Sequence, residues 1–330
     1  MIQNVLIKNF KSIKELQIPC KKLNVFIGEP NSGKSNIIEA LALKSQNAVG
    51  VELNKNIFRY KTIGDLFHDF NINTPIEITT DKESSILQYS VSENKIPDNL
   101  FSYVLDNNNP QQKERPVMIQ HNGAISVHGT LGKTNIRYYE FRRLSAFQPG
   151  YMPHLSVPYG ENLPGLLLAN QEYKKWVSDF FQSKALTLTL KPTENDIAVS
   201  KFVDGEIYSY PYFSISETLQ RVVFYNMAIK SNNNAVLLFD EPETNTFPFY
   251  TKFIAERIAL DNNNQFFITT HNPYLLLSLI EKTEFKNLNV CITEMKKYET
   301  KIHILNEDQI GNVLDLNSDV FFNFNQIIGE

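Results

Sequence analysis

The chain has only two cysteines, Cys20 and Cys291, far apart and in no C-x-x-C pair. That scarcity excludes a disulfide framework and a paired-cysteine zinc site, and it suits a reducing compartment. No window approaches the roughly 18 apolar residues that a membrane helix needs. The N-terminus MIQNVLIKNFKSIKEL alternates apolar and polar residues and lacks the charged-then-apolar layout of a signal peptide. The expectation is a cytoplasmic protein with no membrane partner. Positive charge is also short: 32 Lys and Arg stand against 36 Asp and Glu, a net −4 that disfavours a surface gripping nucleic acid by charge alone. Local contact with DNA or RNA would fall to the basic pairs Arg142–Arg143, Lys174–Lys175 and Lys296–Lys297, although such pairs are usually solvated faces. Sustained heptads, internal repeats and low-complexity tails are missing too, which excludes a coiled-coil arm.

What is present is globular in composition, 42% hydrophobic and 21% charged, enough for one large domain or two ordinary ones. The alternation in IQNVLIKNF and the apolar run LNVFIG predict two strands, the second feeding a glycine-rich loop, and SNIIEALAL predicts the helix after it. From about 75 to 141, PIEITT, SILQYSV, PVMIQ, AISVHG and IRYYEF read as an antiparallel sheet. Residues 150–231 change texture: a Pro- and Gly-rich loop precedes the helical QEYKKWVSDFF, the strands LTLTL and IAVSKF, and an amphipathic helix SETLQRVVFYNMAIK. AVLLFDEPE, YTKFIAERIAL and QFFITTHNPY then alternate strand, helix and strand, the order of a parallel sheet with its active edge at the strand C-terminal ends.

GEPNSGKS, Gly28 to Ser35, fits the phosphate-cradling pattern G-x-x-x-x-G-K-[ST] in the strand–loop–helix context that pattern needs. Gly28 and Gly33 let backbone amides approach phosphate oxygens, Lys34 supplies charge to the β/γ-phosphates, and Ser35 can ligate Mg²⁺. ATP and Mg²⁺ are the expected ligands. Asp240 and Glu241, at the tip of the apolar strand AVLLF, suit a metal-holding Asp beside a carboxylate that orients the attacking water, although a DE turn also caps helices. His271 ends QFFITTH, where it can hydrogen-bond a γ-phosphate or the nucleophilic water.

With NFKSI (9–13), GEPNSGKSNIIEAL, GENL (160–163), SETLQR (216–221), LLFDEPE and TTHNPYLL, the chain resembles the ABC-type ATPases of the SMC/RecF/OLD-like group, known in prokaryotes as AAA-family ATPases. The resemblance implies an α/β P-loop NTPase of ABC type: a mainly parallel core sheet, an antiparallel β subdomain and a mixed helical/β signature lobe. One domain, 1–330, would comprise lobe I (1–149 plus 232–330) and lobe II (150–231). It further implies an ATP-sandwich homodimer. Asn31, Ser32, Lys34 and Asn36 would serve the phosphate loop, Ser35 and Asp240 the Mg²⁺, Glu241 the catalytic base and His271 the switch. Lys11 would reach the nucleotide, and Ser216 would be the signature serine offered to the other copy.

The chain departs from that pattern in three places. SETLQR lacks the usual signature glycines, which points to slow hydrolysis; Gln148, after IRYYEF, is the candidate Q-loop residue; and TNTFPFY keeps Pro248 without the usual preceding His. The stretch after His271 is too short for a fused nuclease, so a nuclease or toxin effector would be a separate chain. The expected function is an ATP-driven clamp for such an effector, in anti-phage defence or DNA repair. A nucleotide-binding subunit of a membrane transporter is the alternative, weakened by the glycine-less signature and the NFKSI strand, and a P-loop small-molecule kinase would leave His271 and the signature helix without a use.

Overall fold

LNVFIG and VLLF are buried at every position because both faces of their strands are covered. The computed structural model describes residues 1–45, 52–90, 100–106, 115–127, 129 and 134–329. Along the chain, β1 (Asn4–Phe10) and β2 (Ile13–Pro19) form a hairpin, and β3 (Leu23–Gly28) runs through the glycine loop into α1 (Lys34–Ala42). A short α2 (Lys55–Phe58) precedes β4 (Ile76–Thr80), β5 (Ser84–Ser90), β6 (Leu100–Asp106), β7 (Val117–Gln120), β8 (Ile125–Val127) and β9 (Ile136–Tyr139). Next come α3 (Leu163–Ala169), α4 (Gln171–Gln182), β10 (Thr187–Lys191), β11 (Asp196–Val203), β12 (Glu206–Pro211) and α5 (Glu217–Lys230). The remainder is β13 (Val236–Asp240), α6 (Pro248–Ala259), β14 (Gln265–Thr269), α7 (Pro273–Lys282), β15 (Leu288–Lys296), β16 (Glu299–Ile304), α8 (Glu307–Leu316) and α9 (Phe324–Ile328).

The core sheet has the order β16-β15-β3-β14-β13-β9, and every pairing in it is parallel except β15 with β16. Its strands alternate sides as a two-faced sheet must. Val25, Ile27, Leu237, Phe239, Phe266 and Ile268 enter the cluster formed with α5, α6 and α7, whereas Phe26, Leu238 and Phe267 enter the cluster that contains α1. On that second side α1 is sandwiched against a seven-stranded antiparallel sheet, β2-β1-β4-β5-β6-β7-β8. A third sheet, β10-β11-β12, directs Ile197 and Val199 into the first cluster.

Two elements differ from the sequence reading. IRYYEF does not extend the antiparallel sheet: β9 pairs in parallel with β13, Ile136 opposite Val236 and Tyr139 opposite Phe239, so it forms an edge of the core sheet. The helix read as amphipathic, α5, is buried at every position from Gln220 to Ile229, because the core sheet, α6 and the segment before the helix enclose it. Its polar Gln220 survives burial by donating to the carbonyls of Phe213 (3.3 Å) and Ile215 (2.9 Å).

Phe239 sits where these layers meet, its ring centroid 5.1 Å from that of Tyr225, 6.0 Å from Phe266 and 6.3 Å from Tyr139. Phe239→Ala is therefore expected to cost about 3–5 kcal/mol. It should appear as a lower urea midpoint at unchanged m-value; a loss under about 1 kcal/mol would contradict the packing described.

Candidate functional site

The parallel register brings three strand tips to one edge: Thr269 of β14 lies opposite Phe26 of β3 on one side and Asp240 of β13 on the other. The glycine loop leaves β3 with left-handed or near-mirror backbone at Gly28 (φ 149°), Asn31 (φ 62°) and Gly33 (φ 96°), then enters α1. No side chain caps α1 and no acid sits in its first turn, so its N-terminal amides and dipole stay available to an anion. Lys34 is only 4% exposed, and its Nζ rests on the carbonyls of Gly28 (2.9 Å) and Glu29 (2.8 Å), oxygens that phosphate oxygens can replace. Burial lowers its amine to about 8, against the opposing pull of Glu241 and Asp240.

A ring of hydroxyls holds the loop from behind. Ser32 Oγ and Thr293 Oγ1 are 2.7 Å apart, Thr293 also donates to the Ile27 carbonyl (3.0 Å), and Ser12 Oγ lies 2.6 Å from Thr300 Oγ1. Asn36 Nδ2 donates to Ser12 Oγ (2.7 Å), tying α1 to the NFKS turn. These contacts set the glycine requirement: a Cβ at Gly33 would stand 1.9 Å from Thr300 Oγ1, and one at Gly28 2.3 Å from the Thr293 carbonyl oxygen.

On the acidic side, Asp240 Oδ1 accepts from Ser35 Oγ (3.2 Å) and from Thr269 Oγ1, whose oxygen in turn accepts from the Glu241 N–H (3.0 Å). Glu241 takes a left-handed φ of 45° and faces His271, with Nε2 3.4 Å from Oε1. Burial and the Lys34 cation both lower the His271 pKa, favouring a neutral imidazole, while Glu241 and Asp240 oppose. The phosphate-side hollow is lined by Asn31, Gly33, Lys34, Ser35, Asn36, Arg59, Glu241 and His271. An adjoining one is lined by Ser35, Arg59, Tyr138, Glu140, Asp240 and Glu241. A triphosphate with a divalent cation fits this chemistry: cation and uncapped amides on one wall, a hydroxyl–carboxylate pair and a second carboxylate on the other.

Some expected residues lie elsewhere. Lys11 is held by Glu39 and by the Phe58 carbonyl and does not line either hollow. Arg59, which the sequence reading passed over, binds the same Glu39 and lines both. Gln148 is exposed in a separate hollow with Asn54, Tyr159 and Glu161; the tip of β9 instead presents Glu140 beside Asp240 and Glu241. Ser216 is exposed at the start of α5, caps nothing with its side chain and lies outside both hollows. Arg142 bonds Glu140 (3.1 Å) and lies 4.1 Å over the Tyr159 ring, and Arg143 bonds the Phe213 carbonyl, so this basic pair serves internal contacts. Among the described residues no helix is long and apolar enough to cross a membrane.

A glycine loop at the tip of a central parallel strand, with Lys34 and Ser35 facing an Asp–Glu pair on the neighbouring tip, defines a P-loop NTPase. Comparison with known proteins agrees. A model of the AAA ATPase domain matches residues 1–145, and a AAA domain model whose description names the AbiEii toxin of type IV toxin–antitoxin systems matches 125–278. An ATP/GTP phosphatase of Helicobacter pylori is 55% identical over 42 residues, which are 12% of this chain and only 11% of that protein's length. The fold matches an Smc head bound to the C-terminal winged-helix domain of ScpA, with 18% identity, 93% of this chain and 99% of that chain covered and a TM-score of 0.51. It also matches a Pyrococcus furiosus Smc head domain with an extended coiled coil bound to the C-terminal domain of ScpA, with 14% identity, 95% and 98% coverage and a TM-score of 0.51. Over residues 1–278 the chain is thus similar to AAA ATPase domains, and its fold is that of an Smc head.

Gly33→Ala tests the hydroxyl wall, with Gly205→Ala as control: Gly205 also has positive φ (85°) but open space around its Cβ position. Gly33→Ala should weaken ATP binding by at least about tenfold, or 1.4 kcal/mol. Gly205→Ala should leave it unchanged in titration calorimetry; equal effects would contradict the crowding argument.

Proposed function

We propose that the chain binds and hydrolyses ATP with Mg²⁺, and that ATP closes two copies into a sandwich dimer that acts on a separate effector protein. The observation that carries this reading is the convergence of Lys34, the Ser35–Asp240 pair and the Glu241–His271 pair on one edge of the core sheet. Ser35 and Asp240 would hold Mg²⁺, which when bound neutralises phosphate charge. Lys34 exchanges its two carbonyl partners for phosphate oxygens, with Gly33 and the first amides of α1 beside it and Asn31 and Asn36 on the rim. Glu241 accepts a proton from the attacking water while a neutral His271 hydrogen-bonds the water or the γ-phosphate. Arg59 adds a fixed positive charge to the wall shared by the two hollows.

The dimer rests on the other end of the geometry. Ser216 heads α5 with a free hydroxyl, away from its own phosphate loop, and Thr218 in the first turn of that helix reaches the Asn245 carbonyl (3.4 Å), just past the Asp–Glu turn. An exposed helix start beside that turn suits an anion brought by a second copy, and residues 150–231 would form the lobe that presents it. The γ-phosphate then links Lys34 of one copy to Ser216 of the other, and hydrolysis removes the link. The absence of signature glycines is consistent with slow turnover. An effector of the nuclease or toxin type, in defence or another nucleic-acid-linked process, fits the toxin–antitoxin description attached to the second family model and the ScpA-bound state of the Smc heads.

Glu241→Gln keeps the shape of the site and removes the base. Hydrolysis should fall by at least about 100-fold, ATP binding should persist, and ATP with Mg²⁺ should accumulate a dimer in light scattering. A protein that stays monomeric under those conditions sinks the sandwich reading.

A further inference from the structure

Glu243, the last residue of the DEPE run, is 5% exposed and faces neither hollow. Its Oε1 accepts from Thr270 Oγ1, and the main-chain N–H groups of Glu243 and His271 also favour its charged form. Oε2 is buried with no hydrogen-bond partner. Burial raises this carboxyl to about 7, with Glu241 adding to the rise. Tyr225 of buried α5 lies close enough for its phenol to feel the Glu243 charge. A buried oxygen left unpaired costs about 1–3 kcal/mol, so the residue adds little to stability where it stands.

Its hydrogen bonds lead to the switch histidine. Thr270 Oγ1, while donating to Glu243, accepts from the Asn272 N–H (2.9 Å). Asn272 caps α7 by accepting from the N–H groups of Tyr274 (2.9 Å) and Leu275 (3.3 Å). His271 is thus held between two residues that share one hydroxyl, and that hydroxyl is aimed by Glu243. On the other strand the carboxylate sits two residues beyond Glu241, whose N–H is fixed by Thr269. One side chain therefore connects the turn that carries the base with the loop that carries the histidine.

We infer that Glu243 is a positioning residue: through Thr270 and Asn272 it fixes the His271 backbone relative to Glu241, and it acts on hydrolysis only through His271. The inference rests on the ATPase reading given above.

The test is a double-mutant cycle in steady-state ATP hydrolysis by the full chain. Glu243→Ala should lower kcat by about tenfold, the scale seen when the group orienting a functional His is removed, with KM for ATP unchanged. Glu243→Gln, which still accepts from Thr270, should restore kcat to within twofold of wild type. In a His271→Ala background, Glu243→Ala should change kcat by less than twofold. Multiplicative losses, a raised KM or no rescue by Gln would overturn the inference. Should Glu243→Ala fail to fold, Thr270→Val against Thr270→Ser asks the same question: Val should lose the rate and Ser keep it, and equal rates overturn the inference. Wild type that hydrolyses no ATP, or Glu241→Gln as fast as wild type, overturns the ATPase reading and this inference with it. Normal behaviour of both with a multiplicative cycle overturns this inference alone.

Discussion

The site depends on β14 lying between β3 and β13. A parallel sheet aligns strand C-termini, so this order places the phosphate loop, the Thr269–His271 tip and the Asp240–Glu241 tip side by side with no connecting loop between them. The central tip then serves both neighbours. Thr270 N–H bonds the Phe26 carbonyl (3.1 Å) on one side, and Thr269 Oγ1 spans Asp240 and the Glu241 N–H on the other. Thr269 ends β14 with its hydroxyl on Asp240 and the Glu241 N–H, and Thr270, just past the strand, places its hydroxyl between Glu243 and the Asn272 N–H, so one organises the Asp–Glu tip and the next the histidine loop.

Position in that sheet also explains how much was legible beforehand. GEPNSGKS, DE and TTH were readable because each follows a short, mostly apolar run, the pattern of a strand covered on both faces. The wall behind the loop was not readable. Thr293 and Thr300 lie on β15 and β16, far along the chain, and only the β15–β3 pairing and the NFKS turn bring them to Gly28 and Gly33. Gln148, chosen because it follows IRYYEF, lies in a separate hollow, whereas β9 ends beside β13 and presents Glu140 at its tip. For α5, the polar residues that imitate an amphipathic period, Gln220, Arg221 and Asn226, are all buried.

Charge in the site is unbalanced in a way that suits its ligand. Asp240, Glu241 and Glu140 gather near Ser35; Arg142 pairs with Glu140 (3.1 Å), Arg59 lines the same hollow, and Lys34, pushed down to about 8 by burial, feels Glu241 and Asp240. Carboxylates held this close repel one another unless a cation joins them, and the uncapped start of α1 equally calls for an anion. A metal-bound polyphosphate answers both needs at once. Burial, with Lys34 beside it, lowers the His271 pKa against the pull of Glu241 and Asp240 and so favours the neutral imidazole, which can accept as well as donate a hydrogen bond.

The positive charge expected from Lys11 reaches the site by a different side chain. Glu39, one turn along α1 from Ser35 and buried, draws Lys11 from the β1–β2 turn and Arg59 from the end of α2. A buried carboxylate needs a partner, and Lys11, itself half-buried, satisfies it. Arg59 is then surplus: it keeps a bond to Glu39 but its side chain remains 59% exposed, along the wall between the two hollows. Its left-handed φ of 45° places strain at the α2 end, which the Glu39 contact holds in place. The NFKS lysine therefore neutralises the anchor and the arginine faces the two hollows, a division of labour that neither residue's local sequence discloses.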